Sequence, residues 1–247
     1  MHVIKGPPTE RSGCLAVRRT HDDYLELRWA ASDGLAADPR VDKASPHAVI
    51  PAPSFVHGLP PASRLRIHTP MPLDEKLAYI YTYAHGAEAM DLYCEAPHVP
   101  DLEQRLVTSI APSFGTIRTF RLLHNAPLES EPSRTDGICH TSLESVLPQL
   151  TELTDLHTFS SYLTPDALRD LPPKLERLHI DVFRSGTDFC DPEAILALFE
   201  DRDVDLKSLM ALTVYDDGPE AVWADLEVAI QKAATARGVR FEWRTGA

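Results

Sequence analysis

Histidine and cysteine are the first residue types here whose spacing could do chemistry. The 247-residue chain has eleven histidines and four cysteines, Cys14, Cys94, Cys139 and Cys190. A structural zinc site needs such residues in close pairs, twice over. Cys94-x3-His98 and Cys139-His140 come nearest, and neither has that paired spacing. No metal and no other cofactor is expected, and the cysteines read as reduced thiols, some buried as small apolar residues. Carboxylates offer a second kind of chemistry. Asp181, Asp216 and Asp217 directly follow apolar, strand-like segments. In an open α/β sheet that edge hosts active sites. In a repeat protein it is the turn after each strand, where aspartate is a good turn residue and part of a candidate binding surface. The second reading is the expectation, and a compact α/β enzyme with carboxylates at strand ends is the alternative. No glycine is followed by lysine and no Gly-x-Ser-x-Gly occurs, so the phosphate-loop and nucleophile-elbow patterns are missing. Catalytic residues are therefore not assigned. Tyr79, Tyr81 and Tyr83 alternate, and core or half-buried packing is expected for their rings.

The elements that would position these residues alternate in type. Cys14 to Val17 and Tyr24 to Trp29 read as a hairpin around Thr20-His21-Asp22-Asp23, after a polar, Pro-rich arm of about 12 residues. Residues 32–60 carry Gly34, Pro39, Pro46, Pro51, Pro53, Gly58 and Pro60, the composition of a long loop. Residues 1–60 are therefore expected to hold the arm, a β-hairpin cap and that loop, and residues 61–247 an α/β domain. Within the latter, strands are predicted at 65–67, 90–92, 119–123, 153–159, 178–180, 209–215 and 239–243. Helices are predicted at 73–83, 100–111, 142–147 with Pro148 as its stop, 164–171, 191–199 and from Gly218 to a stop at Gly238. Thr164-Pro165 and Asp191-Pro192 have the cap-then-proline form of helix starts. Residues 126–140 form a second loop. Such alternation implies parallel strands joined by helical crossovers.

An apolar triplet marks the strands. It reads Ala62-x-x-Leu65-x-Ile67, Ala87-x-x-Met90-x-Leu92, Ile117-x-x-Phe120-x-Leu122, Leu153-x-x-Leu156-x-Thr158, Leu175-x-x-Leu178-x-Ile180 and Leu209-x-x-Leu212-x-Val214. With 43% apolar residues, three such positions coincide by chance about 20 times in a chain this long, so the weight lies in the spacing. The middle residues Leu65, Met90, Phe120, Leu156, Leu178 and Leu212 are the expected repeat core, separated by 25, 30, 36, 22 and 34 residues. Leucine-rich repeats run about 20–29 residues, so three of these gaps need insertions. Extending the pattern places the next strand with Val239 in the middle position. The full repeat motif ends in asparagine. The single asparagine, Asn125, falls at that ladder position after Phe120 and Leu122; Pro70, Glu95, Ser161, Phe183 and Asp217 fill it elsewhere. The predicted class is thus α/β: a short, irregular, leucine-rich-repeat-like solenoid with helices on one face.

Residues 150–247 resemble the degenerate leucine-rich repeats of fungal F-box-type proteins. The resemblance is carried by Leu168-x-x-Leu171-Pro172-Pro173-x-Leu175-x-x-Leu178-x-Ile180, by Leu206-x-x-Leu209-x-x-Leu212-x-Val214, and by the final helix with Arg237-Gly238-Val239. In that family the repeats recognise target proteins and an N-terminal F-box docks the chain onto a ubiquitin ligase. Leu59-Pro60-Pro61 has the family's opening Leu-Pro, and no F-box-like helical pattern follows it. The resemblance implies a non-enzymatic protein-interaction module that selects a substrate, with a ubiquitin-ligase adaptor subunit as one partner.

Charge narrows the partners. The formal net charge is -13; residues 1–123 contribute -1 and residues 124–247 contribute -12. An acidic chain repels phosphate backbones and anionic lipid, so neither nucleic acid nor membrane is expected as partner, and a basic protein surface suits this balance. No apolar run nears the roughly 18 residues needed to cross a bilayer, and the N-terminus lacks an apolar signal core. An intracellular location, cytoplasmic or nuclear, is expected.

Overall fold

Apolar side chains at every second position build one sheet and decide which face of it is buried. The structure, a computed structural model, describes residues 2–5, 13–19, 25–31, 48–49, 63–67, 76–77, 80–81, 85–94, 102–124, 142–182, 192–216 and 224–245. The strands are β1 (His2–Lys5), β2 (Gly13–Arg19), β3 (Leu25–Ala31), β4 (Ala48–Val49), β5 (Arg64–Ile67), β6 (Ala89–Cys94), β7 (Thr119–His124), β8 (Asp155–Phe159), β9 (Arg177–Val182), β10 (Ala211–Asp216) and β11 (Arg240–Thr245). The helices are α1 (Leu102–Ile110), α2 (Pro165–Arg169), α3 (Pro192–Glu200) and α4 (Ala224–Ala236). The expected polar arm contains β1, which pairs antiparallel with β2; β2 in turn pairs antiparallel with β3.

From β5 to β11 all seven strands are parallel, and each lies beside its predecessor in the chain. The order never reverses, so there is no switch point of the kind that creates a crevice in doubly wound sheets. The middle triplet residues Leu65, Met90, Phe120, Leu156, Leu178 and Leu212 are direct register partners from strand to strand. All six are fully buried. Phe241, not Val239, continues the row opposite Leu212. The expected register was two residues early because Val239 is itself apolar; it is the third residue past α4 and its N–H goes back to the helix.

The junctions repeat as well. The residue before each of β5 to β9 turns its carbonyl toward two successive N–H groups of the next unit. Ser63 accepts from Glu88 and Ala89, Glu88 from Arg118 and Thr119, and Arg118 from Thr154 and Asp155. Thr154 then accepts from Glu176 and Arg177, and Glu176 from Met210 and Ala211. Backbone groups at the strand entries are thus satisfied by the neighbouring unit's backbone, and at Arg118 the Thr154 hydroxyl adds a third bond at 3.0 Å.

The helices close the buried face. Leu106 and Ile110 of α1, Ile195, Leu198 and Phe199 of α3, and Ile230 and Ala234 of α4 join the core cluster of the inward strand residues. Helix α2 starts as expected, with Thr164 Oγ1 accepting from the Ala167 N–H at 3.1 Å. Helix α4 stops at Gly238, at φ 74°, with Gly238 N–H on the Thr235 carbonyl and Val239 N–H on that of Ala234. One element differs. Residues 142–147 are not an α-helix: turns lead to a 3-10 helix, Leu147–Gln149, with Pro148 inside it rather than ending it. Proline needs no N–H in the first positions of a helix, so it starts one as well as it stops one. Lys76 stands near the predicted start of the helix at 73–83, yet its side chain is buried and its Nζ donates to the Tyr93 carbonyl at 2.6 Å. Tyr81, expected in packing, is 55% exposed.

Asn125, Asp217, Tyr79, Tyr83, Cys139, Cys190, Leu59-Pro60-Pro61, Gly218, the loop at 126–140 and the Pro/Gly-rich residues between 32 and 60 other than Ala48–Val49 lie outside the described residues. No helix among the described residues is long and apolar enough to cross a membrane.

Candidate functional site

The alternation that points one set of strand side chains into the core leaves the other set on the opposite face. Register aligns that set into rows crossing the strands. The central row runs Arg66, Asp91, Arg121, His157, His179, Thr213 and Glu242, from β5 to β11. On one side of it runs Arg64, Ala89, Thr119, Asp155, Arg177, Ala211 and Arg240; on the other, Asp181, Tyr215 and Arg244 are successive partners. Parallel pairing in chain order places these side chains about 4.8 Å apart along each row, so they act on one another as a surface.

The face is laced by charge pairs. Arg66 Nε and Nη2 both reach Asp91 Oδ2 at 2.8 Å. Asp91 is buried, and its Oδ1 has no hydrogen-bond donor; Arg121 Nε stands 3.9 Å from it. Arg177 Nε donates to Asp155 Oδ2 at 2.7 Å. His157 Nε2 lies 3.0 Å from Asp181 Oδ2. Arg244 grips Glu242 with Nε and Nη2, both at 2.9 Å, and donates from Nη1 to Tyr215 Oη at 2.6 Å.

Six arginines (Arg64, Arg66, Arg121, Arg177, Arg240, Arg244) face four carboxylates (Asp91, Asp155, Asp181, Glu242) on these rows. The described face is therefore net positive in a chain of net charge -13. Overall charge does not describe this surface, because the acidic residues are concentrated elsewhere.

Near the middle of the face lies an open depression of about 370 Å³, lined by Arg121, Asp155, His157, His179, Asp181 and Tyr215. The His157 ring lies 5.6 Å from that of His179 and stacks on Tyr215 at 6.5 Å. Burial pushes the His179 imidazole below its ordinary pKa; His157, Arg121 and Arg177 push the same way, and Asp155 opposes them. Burial thus disfavours the charged form of His179. Among the described residues, no three of His, Cys, Asp and Glu are grouped to hold a metal ion.

The aspartates singled out from sequence fall differently. Asp181 lies inside β9, not in a turn after it, and belongs to this face. Asp216 is the last residue of β10 and pairs with Val182; Tyr215, not Asp216, stands beside Asp181. The two aspartates are therefore not register neighbours, as carboxylates converging on one centre would be. Sequence reasoning passed over Arg66, Asp91, Arg121, His157 and His179. Their signal was present: each occupies the position between the second and third triplet residues, and stacking the triplets puts all five in one column.

Comparison with known proteins adds no further constraint: no family model, no curated protein and no solved structure matches this chain.

Proposed function

We propose that the chain is a non-enzymatic protein-interaction module, built as a short, irregular, leucine-rich-repeat-like solenoid with the N-terminal hairpin as its cap. The observation that carries this reading is the open strand face. Parallel strands laid down in chain order, helices joined to a single core on the other side, and one repeated junction bond per unit support a stack of similar units. Such stacks present one extended strand surface, which suits binding to a protein better than to a small molecule. The step from binding to ubiquitination rests on the resemblance of residues 150–247 alone.

A pull-down from native extract with the full chain tests both parts. One dominant protein partner is expected, lost with Tyr215→Asp on the strand face and retained with Lys232→Gln on the exposed side of α4. Co-recovery of a ubiquitin-ligase adaptor supports the ligase role. Loss of no partner upon strand-face substitution overturns the binding reading.

The hydrogen bond between His157 and Asp181 favours one second reading. A carboxylate that orients an imidazole in a depression is the arrangement of a general base, and the His179 ring stands 5.6 Å from that of His157. Chromogenic ester and phosphate substrates separate the two. Turnover abolished by His157→Ala would make the depression an active site; its absence, with partner capture intact, leaves the module reading standing.

A further inference from the structure

We infer that the strand face takes an acidic, extended segment of its partner, laid across the strands, with Arg121 and Arg240 as the two seats for carboxylates. This rests on the proposed protein-binding role and adds the chemistry of the ligand.

Charge complementarity carries it. Each carboxylate of the face is already bonded within the face: Asp91 by Arg66, Asp155 by Arg177, Asp181 by His157 and Glu242 by Arg244. The arginines are not all used in return. Arg121 has its Nε shielded from water and without an acceptor, and its side chain is 39% exposed beside the depression. Arg240 is exposed on the outermost parallel strand and makes no ion pair among the described residues. The outer guanidinium nitrogens of Arg121, on a side chain 39% exposed, and the exposed guanidinium of Arg240 are seats for a carboxylate, which they would hold through charge-assisted hydrogen bonds. A basic segment would instead have to displace an arginine, or His157 at Asp181, from each carboxylate it reached.

Geometry sets the spacing. Arg121 is on β7 and Arg240 on β11, four strand intervals apart and one row apart along the strands, which is about 20 Å. An extended chain advances about 3.3 Å per residue, so carboxylates roughly six residues apart reach both seats. Tyr215, 37% exposed and flanked by Arg244 and His157, stands on β10 on the far side of the central row from Arg240 and offers a ring for an apolar residue flanking the segment.

The test is fluorescence anisotropy with the full chain and three labelled peptides of equal length. One has two Glu-Glu pairs six residues apart, one has the four glutamates contiguous, and one has lysine in place of every glutamate. The spaced acidic peptide is expected to bind best, the contiguous one more weakly, and the lysine peptide not at all. Arg121→Gln and Arg240→Gln should each weaken the spaced peptide about tenfold, at unchanged melting temperature, and Lys232→Gln should leave it alone. Because Arg121 stands against buried Asp91, Arg240→Gln on the edge keeps the test valid if Arg121→Gln unfolds the chain. Binding of the lysine peptide, indifference to spacing, or no effect of Arg240→Gln would overturn the inference. A strand-face-dependent partner in the pull-down together with failure of the acidic peptides would sink the ligand chemistry alone; failure of both would sink the module reading too.

Discussion

Thr158 is the one triplet residue that is not apolar, and the structure gives it no compensation. It is fully buried, and its hydroxyl has no hydrogen-bond partner among the described residues. A buried polar group left unpaired costs about 1–3 kcal/mol. Thr158→Val keeps the shape and removes the hydroxyl, so it is expected to raise stability by about 1 kcal/mol and the melting temperature by about 2–4 °C in a chain of this size. A thermal melt checks this; a lower melting temperature would mean that the hydroxyl has a partner after all. His179 carries a pH effect of definite sign. Its folded-state pKa lies below the 6.5 of an unperturbed histidine, chiefly through burial. As pH falls through 6.5 the unfolded chain takes up this proton first, so stability declines; above 6.5 both states are neutral here and the contribution vanishes. Urea unfolding at stepped pH should show a shallower acid decline for His179→Gln than for the wild-type chain, and an equal decline would place the sensitivity elsewhere. The two residues differ in legibility. Thr158 interrupted an apolar period and could be read at once. His179 sat between two apolar positions, where only alignment of separate units reveals a column, and its neighbours come from strands 22 or more residues away.

Helix ends were readable because a few residue types settle them locally; what joins one helix to the next was not. Gly238 was predicted as a stop, and its positive φ explains why. A Cβ there would meet no atom within 4 Å, so Gly238→Ala brings only the conformational cost of the left-handed region. That cost is about 1–2 kcal/mol, read by chemical denaturation. Arg237, one residue earlier, does something the sequence did not show. Its guanidinium donates to three carbonyls at and beyond the end of α3: Phe199 at 3.4 Å, Asp201 at 2.8 Å and Val204 at 2.6 Å. Those groups have no partner within their own helix, and a cation there also meets the negative end of the helix dipole. Arg237→Gln should cost about 2 kcal/mol, and Arg237→Lys should recover little of it, because one ammonium cannot replace a planar fork spread over three acceptors. Full recovery by lysine would reduce the contact to simple charge. The same limit explains residues 142–147: Pro148 reads as a stop because its neighbours are helical in pattern, whereas Leu143, Val146 and Leu147 are buried by turns packed on the sheet.

Laying parallel strands down in chain order has a consequence for how the molecule comes apart. The more extensive contacts all join elements of one strand-helix unit or of neighbouring units, as between α3 and α4, α4 and β11, or β6 and β7. When each unit holds only its neighbours, damage at the end opens the end, and damage in the middle severs the stack. Phe120 and Phe241 stand at equivalent register positions, one in the middle and one on the last strand, and both are buried. Removing either ring costs about 3–5 kcal/mol locally. Hydrogen exchange should nevertheless tell the two variants apart. In Phe241→Ala, protection should fall across α4 and β11 while β5 to β8 keep theirs. In Phe120→Ala, it should fall on both sides of β7. A uniform loss in both variants would mean that the sheet unfolds as one cooperative block, and the picture of semi-independent units would have to be abandoned. That picture also accounts for the uneven spacing of the units. A stack fixes only the strand register and the junction bonds, so connections of 22 and 36 residues serve equally, and the same freedom that blurred the period in the sequence leaves the strand face continuous in the fold.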